Sequence, residues 1–177
     1  ALVRGDGDAA GAIASELACA QPGAAAHISL FDPVSGKAQA LATRMALHTA
    51  TPVVAASSHD PAGFDLVINA SPLGLSPDDA LPCDVQRLAP HAAVMDIVMK
   101  NQPTPWVRAA RARGLHAQPG FEMLIQQAAP YLEFFGLHDA AQRVRDDATF
   151  LREQIYPATL HAEIRGRTPH LLIPALL

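Results

Sequence analysis

Two apolar rhythms alternate along this chain. Short continuous apolar runs are separated by stretches in which apolar residues recur every three to four positions. The opening run, Ala1-Leu2-Val3-Arg4, predicts the end of a strand, and Gly5-Asp6-Gly7 a turn. The Ala-rich segment from Asp8 predicts a helix with Ile13, Leu17 and Ala20 on one face, stopped by Gln21-Pro22-Gly23. His27 to Asp32 reads as a second strand. Ser35 is the expected cap of a second helix that turns Ala38, Leu41, Ala42 and Met45 inward. Thr51 to Ala55 predicts a third strand, placed near an edge by Pro52. The run inside Asp65-Leu66-Val67-Ile68-Asn69 is continuously apolar, as a parallel strand covered on both faces requires, and Ala92 to Val98 reads as a fifth strand. A helix from Thr104 to Arg113, a sixth strand at Leu115 to Gln118 and a longer helix from Phe121 to Phe135 complete the alternation. Strands alternating with helices predict an α/β fold: a Rossmann-like, doubly wound, mostly parallel sheet.

The first turn carries candidate chemistry. Gly5, Gly7 and Ala10 have the G-x-G-x-x-G/A spacing of a dinucleotide-binding turn. The first glycine permits the bend, the second lets backbone N–H groups approach a pyrophosphate, and the small third residue lets helix and strand pack closely. The helix N-terminus adds free N–H groups and partial positive charge. Asp32, at the end of the second strand, is placed where such folds set an acid against the adenosine ribose. A carboxylate there accepts from the ribose hydroxyls of NAD and repels the 2′-phosphate of NADP. The plainer role for Asp32 is to start a turn before Pro33. Asp6 and Asp8 oppose a diphosphate, with Arg4 as the nearby cation, so affinity is expected below that of a neutral glycine turn.

Composition narrows the picture. The 177 residues suit one domain with an appendage, and half of them are apolar. The net charge of −4, with no basic run, argues against nucleic acid and anionic membranes. Cys19 and Cys83 are the only cysteines, which points to a reducing, cytoplasmic setting. No apolar run is long enough for a membrane helix. The chain opens almost inside a strand, so it reads as the C-terminal part of something longer.

Five separated motifs keep a known order and spacing. They are Gly63-Phe64-Asp65-Leu66-Val67-Ile68-Asn69-Ala70-Ser71-Pro72-Leu73-Gly74, then Leu81-Pro82, Asp96-Ile97-Val98-Met99, Thr104-Pro105 with Ala109-Arg111-Arg113-Gly114, and Gly120-Phe121-Glu122-Met123-Leu124-Ile125-Gln126-Gln127-Ala128-Ala129. Over residues 1–138 the chain resembles the nucleotide-binding, C-terminal half of the shikimate/quinate dehydrogenase family. That family interconverts 3-dehydroshikimate and shikimate, or handles quinate, with a nicotinamide cofactor.

The resemblance implies roles residue by residue. Gly5, Asp6, Gly7, Ala9 and Ala10 would hold the pyrophosphate. Asp32-Pro33 resembles the NAD-using branch, so NAD is the expected cofactor. Asn69, Ala70, Ser71, Ile97, Gly120 and Met123 would line its nicotinamide half. Gln127 matches a glutamine that reaches the substrate, a small cyclic hydroxy acid. Met99 stands where the family usually has a substrate-contacting tyrosine, which admits a related acid in place of shikimate. The family's catalytic lysine and aspartate belong to an N-terminal substrate domain, so no catalytic residue is assigned here and the chain alone is expected to be inactive. The alternative is a non-catalytic nucleotide-binding or interaction module with a degenerate phosphate loop.

Residues 139–177 lie beyond the resemblance and predict a helical C-terminal extension. Asp139 would cap one helix with Ala141, Val144, Ala148, Leu151 and Ile155 on a single face, ended by Pro157. The apolar end, Leu171-Leu172-Ile173-Pro174-Ala175-Leu176-Leu177, is expected to pack within the chain, with homo-oligomer formation as the other use of such a surface. His161, Glu163 and His170 match no usual metal-ligand spacing, and no metal is expected. Ser57-Ser58-His59-Asp60 and Lys100-Asn101-Gln102-Pro103 read as a loop and a solvated turn.

Overall fold

The computed structural model describes residues 1–19 and 24–164. Ala20, the expected stop at Gln21-Pro22-Gly23, His170 and the apolar residues 171–177 lie outside the described residues. The described chain forms two compact units, one from Ala1 to Pro119 and one beginning at Gly120.

The first unit is built on β1 (Leu2–Arg4), β2 (Ile28–Phe31), β3 (Val53–Ala55), β4 (Leu66–Asn69), β5 (Ala93–Asp96) and β6 (His116–Gln118). All pairings are parallel, in the order β3-β2-β1-β4-β5-β6. The chain steps from β1 outward to β3, then returns to lay β4 on the other side of β1. That reversal opens a crevice at the carboxyl ends of β1 and β4, where open α/β sheets bind ligands. β3 forms one edge, and Pro52 precedes it, with its carbonyl accepting from Ile28 N at 2.9 Å. Proline is tolerated there because it stands just before the first ladder residue of the edge strand, Val53, and its missing N–H breaks no ladder pair.

Three helices connect the strands: α1 (Asp8–Leu17), α2 (Lys37–Met45) and α3 (Pro105–Ala112). The inward residues of α2 are the four that its spacing predicts, Ala38, Leu41, Ala42 and Met45, all buried. Its cap differs from expectation. Gly36, in the left-handed region at φ 84°, precedes the helix, and no side chain caps it, so Ser35 has no capping role. One face of the central strands presents Leu2, Val67 and Val94 in register to Trp106 and Ala110 of α3. Thr104 caps α3 by accepting from Val107 N, and Pro105 follows at the first helical position, where a missing N–H is harmless.

The second unit holds α4 (Phe121–Phe134), α5 (His138–Asp146), α6 (Thr149–Ile155) and a short α7 (His161–Ile164). Ile125, Tyr156, Leu160 and Ile164 form its core. Within it, Glu122 is fully buried and accepts from Arg152 Nε at 2.9 Å, Arg152 Nη2 at 3.0 Å and the Tyr156 hydroxyl at 2.5 Å. The single helix expected from Asp139 onward is instead two. Asp147 takes an extended conformation, and its carboxylate accepts from Thr149 N at 2.8 Å, which ends α5 and starts α6. Asp139 sits inside α5, which has no side-chain cap. No helix among the described residues is long and apolar enough to cross a membrane.

Candidate functional site

The carboxyl edge of the sheet gathers most of the residues singled out from sequence. β1 leads through Gly5 and Gly7 into α1, and the two glycines serve different ends. Gly5 has φ +123°, and a Cβ built on it would lie 2.5 Å from the Ala70 carbonyl oxygen and 2.8 Å from its carbon. Backbone therefore meets backbone across the β1–β4 crevice. Hydrogen bonds fix the same meeting: Gly5 N donates to Phe31 O and Ala70 N donates to Arg4 O, both at 2.8 Å. Gly7 has ordinary backbone angles, φ −68° and ψ 178°, and nothing lies within 4 Å of a Cβ built there. No side chain caps the first N–H groups of α1, which belong to Asp8, Ala9 and Ala10. Ala10 is fully buried, the small residue that lets α1 approach the sheet.

Asp32 follows β2 at the same edge. Its Oδ1 accepts from Val34 N at 2.8 Å, so the turn-forming role exists, and it fixes the carboxylate beside the glycine turn. The cation that meets Asp6 is Lys37, with Nζ 3.2 Å from Oδ2 and 3.4 Å from Oδ1. Arg4, the cation expected there, is engaged elsewhere. Its Nη1 donates to Pro82 O, and its guanidinium stands 5.4 Å from the centre of the Phe31 ring. Burial lowers the Arg4 pKa, while Cys83 and Asp32 oppose that shift. Burial also pushes the Cys83 thiol up to about 11, which rules it out as a thiolate nucleophile near neutral pH.

A buried polar network stiffens the neighbouring strand ends. Asn69 Nδ2 donates to Asp96 Oδ1 at 3.0 Å and to Leu73 O at 2.8 Å. Its Oδ1 accepts from Ser71 Oγ at 2.6 Å and Ser71 N at 3.2 Å. Asp96 also accepts from Thr104 Oγ1 at 2.7 Å and Val98 N at 3.1 Å. Ile97 N donates to Asn69 O at 3.1 Å. Burial raises the Asp96 carboxyl above the usual carboxylate range, against the pull of these donors. The network holds the loop from Asn69 through Ser71 as one shaped wall. Gly74 completes it: at φ +104° it passes Thr104 so closely that a Cβ would lie 3.2 Å from Thr104 Cγ2.

The edge thus brings together Gly5, Asp6, Gly7, Ala9, Ala10, Asp32, Asn69, Ala70, Ser71 and Ile97. Met99 lies beyond β5 and is exposed. Gly120 precedes α4, and Met123 and Gln127 lie on it, so all three belong to the second unit. Asp96, Thr104 and Lys37 were missed as partners. A lone acid inside the apolar run Ala92 to Val98 was the available signal for Asp96. Lys100 to Pro103 is more than a solvated turn, since Asn101 Nδ2 donates to Leu75 O at 2.6 Å and Gln102 Nε2 to Val98 O. Among the described residues, no three His, Cys, Asp or Glu side chains gather as a metal site. His161 contacts the Tyr156 carbonyl at 3.0 Å.

No family model matches the chain. The shikimate dehydrogenase (NADP(+)) of Acidiphilium cryptum (strain JF-5) is 40% identical over 152 residues, covering 85% of this chain and 51% of the relative. The chain is thus similar to shikimate and quinate dehydrogenases. It spans about half the length of the curated relatives it matches. Among solved structures, the quinate dehydrogenase of Corynebacterium glutamicum in complex with NAD superposes with a TM-score of 0.68 at 29% identity, covering 82% of this chain and 52% of that one. The ligand-free 5-ketofructose reductase of Gluconobacter sp. strain CHM43 gives a TM-score of 0.68 at 28% identity, covering 82% and 55%.

Proposed function

We propose that this chain is the nicotinamide-dinucleotide-binding part of an oxidoreductase of shikimate/quinate dehydrogenase type, and that it prefers NAD. The observation that carries the reading is the pairing of an open, uncapped turn at Gly7 with a carboxylate fixed at Asp32 on the adjacent strand end. Gly7 needs no unusual backbone and meets no neighbour, so its lack of a side chain serves something that approaches from outside. The residues fit a dinucleotide. The α1 amides of Asp8, Ala9 and Ala10 face the place of a pyrophosphate, with Gly5 shaping the bend. Asp6 would disfavour that anion, but Lys37 already neutralises it. Asp32 keeps one oxygen for Val34 N and offers the other to ribose hydroxyls, which favours NAD. The relatives named for NADP(+) make this preference a point for experiment.

When bound, the nicotinamide carries the hydride. The chain's own residues orient it. Asn69, Ala70, Ser71 and Ile97 form the wall held by Asp96, and the resemblance assigns Gly120 and Met123 to the nicotinamide as well. Met99 and Gln127 are assigned to a cyclic hydroxy acid substrate on the same ground. Hydride transfer to a carbonyl needs a proton donor within hydrogen-bond reach. Lys37 sits at the start of α2 against Asp6, in the corner assigned to the adenosine-ribose end, and the acid–base groups are assigned by the resemblance to the part of the family's proteins that this chain does not span. A reducing cytoplasmic setting belongs to the same reading, with Cys19 and Cys83 both free thiols. Calorimetric titration of the chain with NAD and NADP tests it. Saturable binding with NAD tighter is expected; binding of neither nucleotide favours the non-catalytic module instead.

A further inference from the structure

We propose that Asp6, inside the glycine turn, helps select between the two dinucleotides by holding the Lys37 ammonium away from a phosphate on the adenosine ribose. The proposal rests on the cofactor reading above and deepens it.

Two carboxylates flank one hydrogen bond at this corner of the sheet. Gly5 N donates to Phe31 O at 2.8 Å, Asp6 follows Gly5, and Asp32 follows Phe31. A single ammonium reaches the corner from the start of α2. Lys37 Nζ lies 3.2 and 3.4 Å from the two Asp6 oxygens. Arg4 is tied to the Pro82 carbonyl and the Phe31 ring. Asp6, Asp32 and Lys37 together carry one net negative charge. A ribose with free hydroxyls meets an acceptor in Asp32. A ribose 2′-phosphate, near −2 at neutral pH, meets two like charges and a cation already engaged.

The contact with Asp6 is a switchable one. The Lys37 and Asp6 side chains are 50% and 24% exposed, and a pair in such surroundings is weak. Nothing else in the described contacts of Lys37 fixes it to Asp6. Losing the Asp6 charge removes one repulsion and frees the ammonium for phosphate, while Asp32 is left in place. Asp32 alone would repel the phosphate whatever Lys37 does; Asp6 decides whether that repulsion is answered.

The test is the ratio of NADP to NAD dissociation constants, measured calorimetrically on the 177-residue chain. A ratio cancels any effect of Asp6 on the pyrophosphate, which the two nucleotides share. Asp6→Asn is expected to lower the ratio about two- to fivefold, as loss of one partly exposed charge interaction allows. Asp6→Asn combined with Lys37→Ala is expected to return the ratio to near the wild-type value. Both positions are solvent-accessible, and far-UV circular dichroism verifies that the variants fold. An unchanged ratio in Asp6→Asn overturns the proposal and leaves the cofactor reading intact. A lowered ratio that persists without Lys37 also overturns it, because Asp6 then acts by repulsion alone. If wild-type chain binds neither nucleotide, the cofactor reading fails and this proposal falls with it.

Discussion

Gly5 rests against the carbonyl of Ala70 with no room for a methyl group between them. A Cβ at position 5 would lie 2.5 Å from that oxygen, and the backbone already stands at φ +123°. Both obstacles are backbone, so neither yields by a side-chain rotation. Gly5→Ala is expected to destabilise the first unit by roughly 3–5 kcal/mol, from strained dihedrals and overpacking together. Trp106, the single tryptophan and almost fully buried, reports the loss through its fluorescence in a urea titration. Gly7→Ala makes the contrast. Its methyl meets open space, so stability should fall by less than about 1 kcal/mol, the scale of an N-cap change. Affinity for NAD should nonetheless drop about tenfold or more, equivalent to ~1.4 kcal/mol. Equal stability of the two variants would refute the close approach at Gly5.

The sheet was legible because burial leaves a linear record. β4 and β5 show as apolar runs that close on Asn69 and Asp96, β3 is marked as an edge by Pro52, and the glycine turn announces the β1–α1 join. What failed to show was partnership across space. Lys37 pairs with Asp6 from 31 positions away, and nothing local distinguishes it from Arg4 as the counter-ion. The break between α5 and α6 was invisible for a different reason. The apolar spacing from Ala141 to Ile155 continues through it, whereas the cause is one side-chain acceptor at Asp147 that competes with the helix. Ser35 lost its expected cap because Gly36 can enter the left-handed region and begin the helix one residue later. Within the site, strand-end positions were readable, but the donors that converge on Asp96 were set by tertiary packing.

Asp96 should make stability depend on pH in an unusual direction. Burial raises its carboxyl above the ordinary value of 3.8 in the folded chain, with Thr104, Val98 and Asn69 opposing the shift. Between that ordinary value and the raised one, the folded state holds more protons here than the unfolded state. The contribution of this group is therefore most favourable below the window and is lost as pH rises through the folded pKa. Each unit of upward shift is worth about 1.4 kcal/mol. Asp96→Asn removes the titration. The stability of wild type minus that of the variant, from denaturant unfolding across acidic pH, is expected to fall as pH rises and then level off. A difference that rises with pH would mean that hydrogen bonding outweighs burial at this carboxylate.

Glu122 and Arg152 should behave as a unit whose halves cannot be spared separately. Glu122 is fully buried, Arg152 grips both its oxygens from α6, and the Tyr156 hydroxyl adds a third donor. Removing one member of such a pair strands a charge in a low-dielectric setting, at a cost of about 3–5 kcal/mol. Glu122→Leu alone and Arg152→Met alone are each expected to lower stability on that scale. The double replacement substitutes apolar volume for both charges and should recover most of the loss, since buried pairs seldom outperform well-packed hydrophobic side chains. Neighbours suited to such packing are present in Ile125, Leu160 and Ile164. Hydrogen exchange over residues 121–164 isolates this unit from the sheet, whereas Trp106 fluorescence reads only the first. Additive losses in the double variant would show that the two side chains contribute independently, and that the pair is not what fastens α6 to α4.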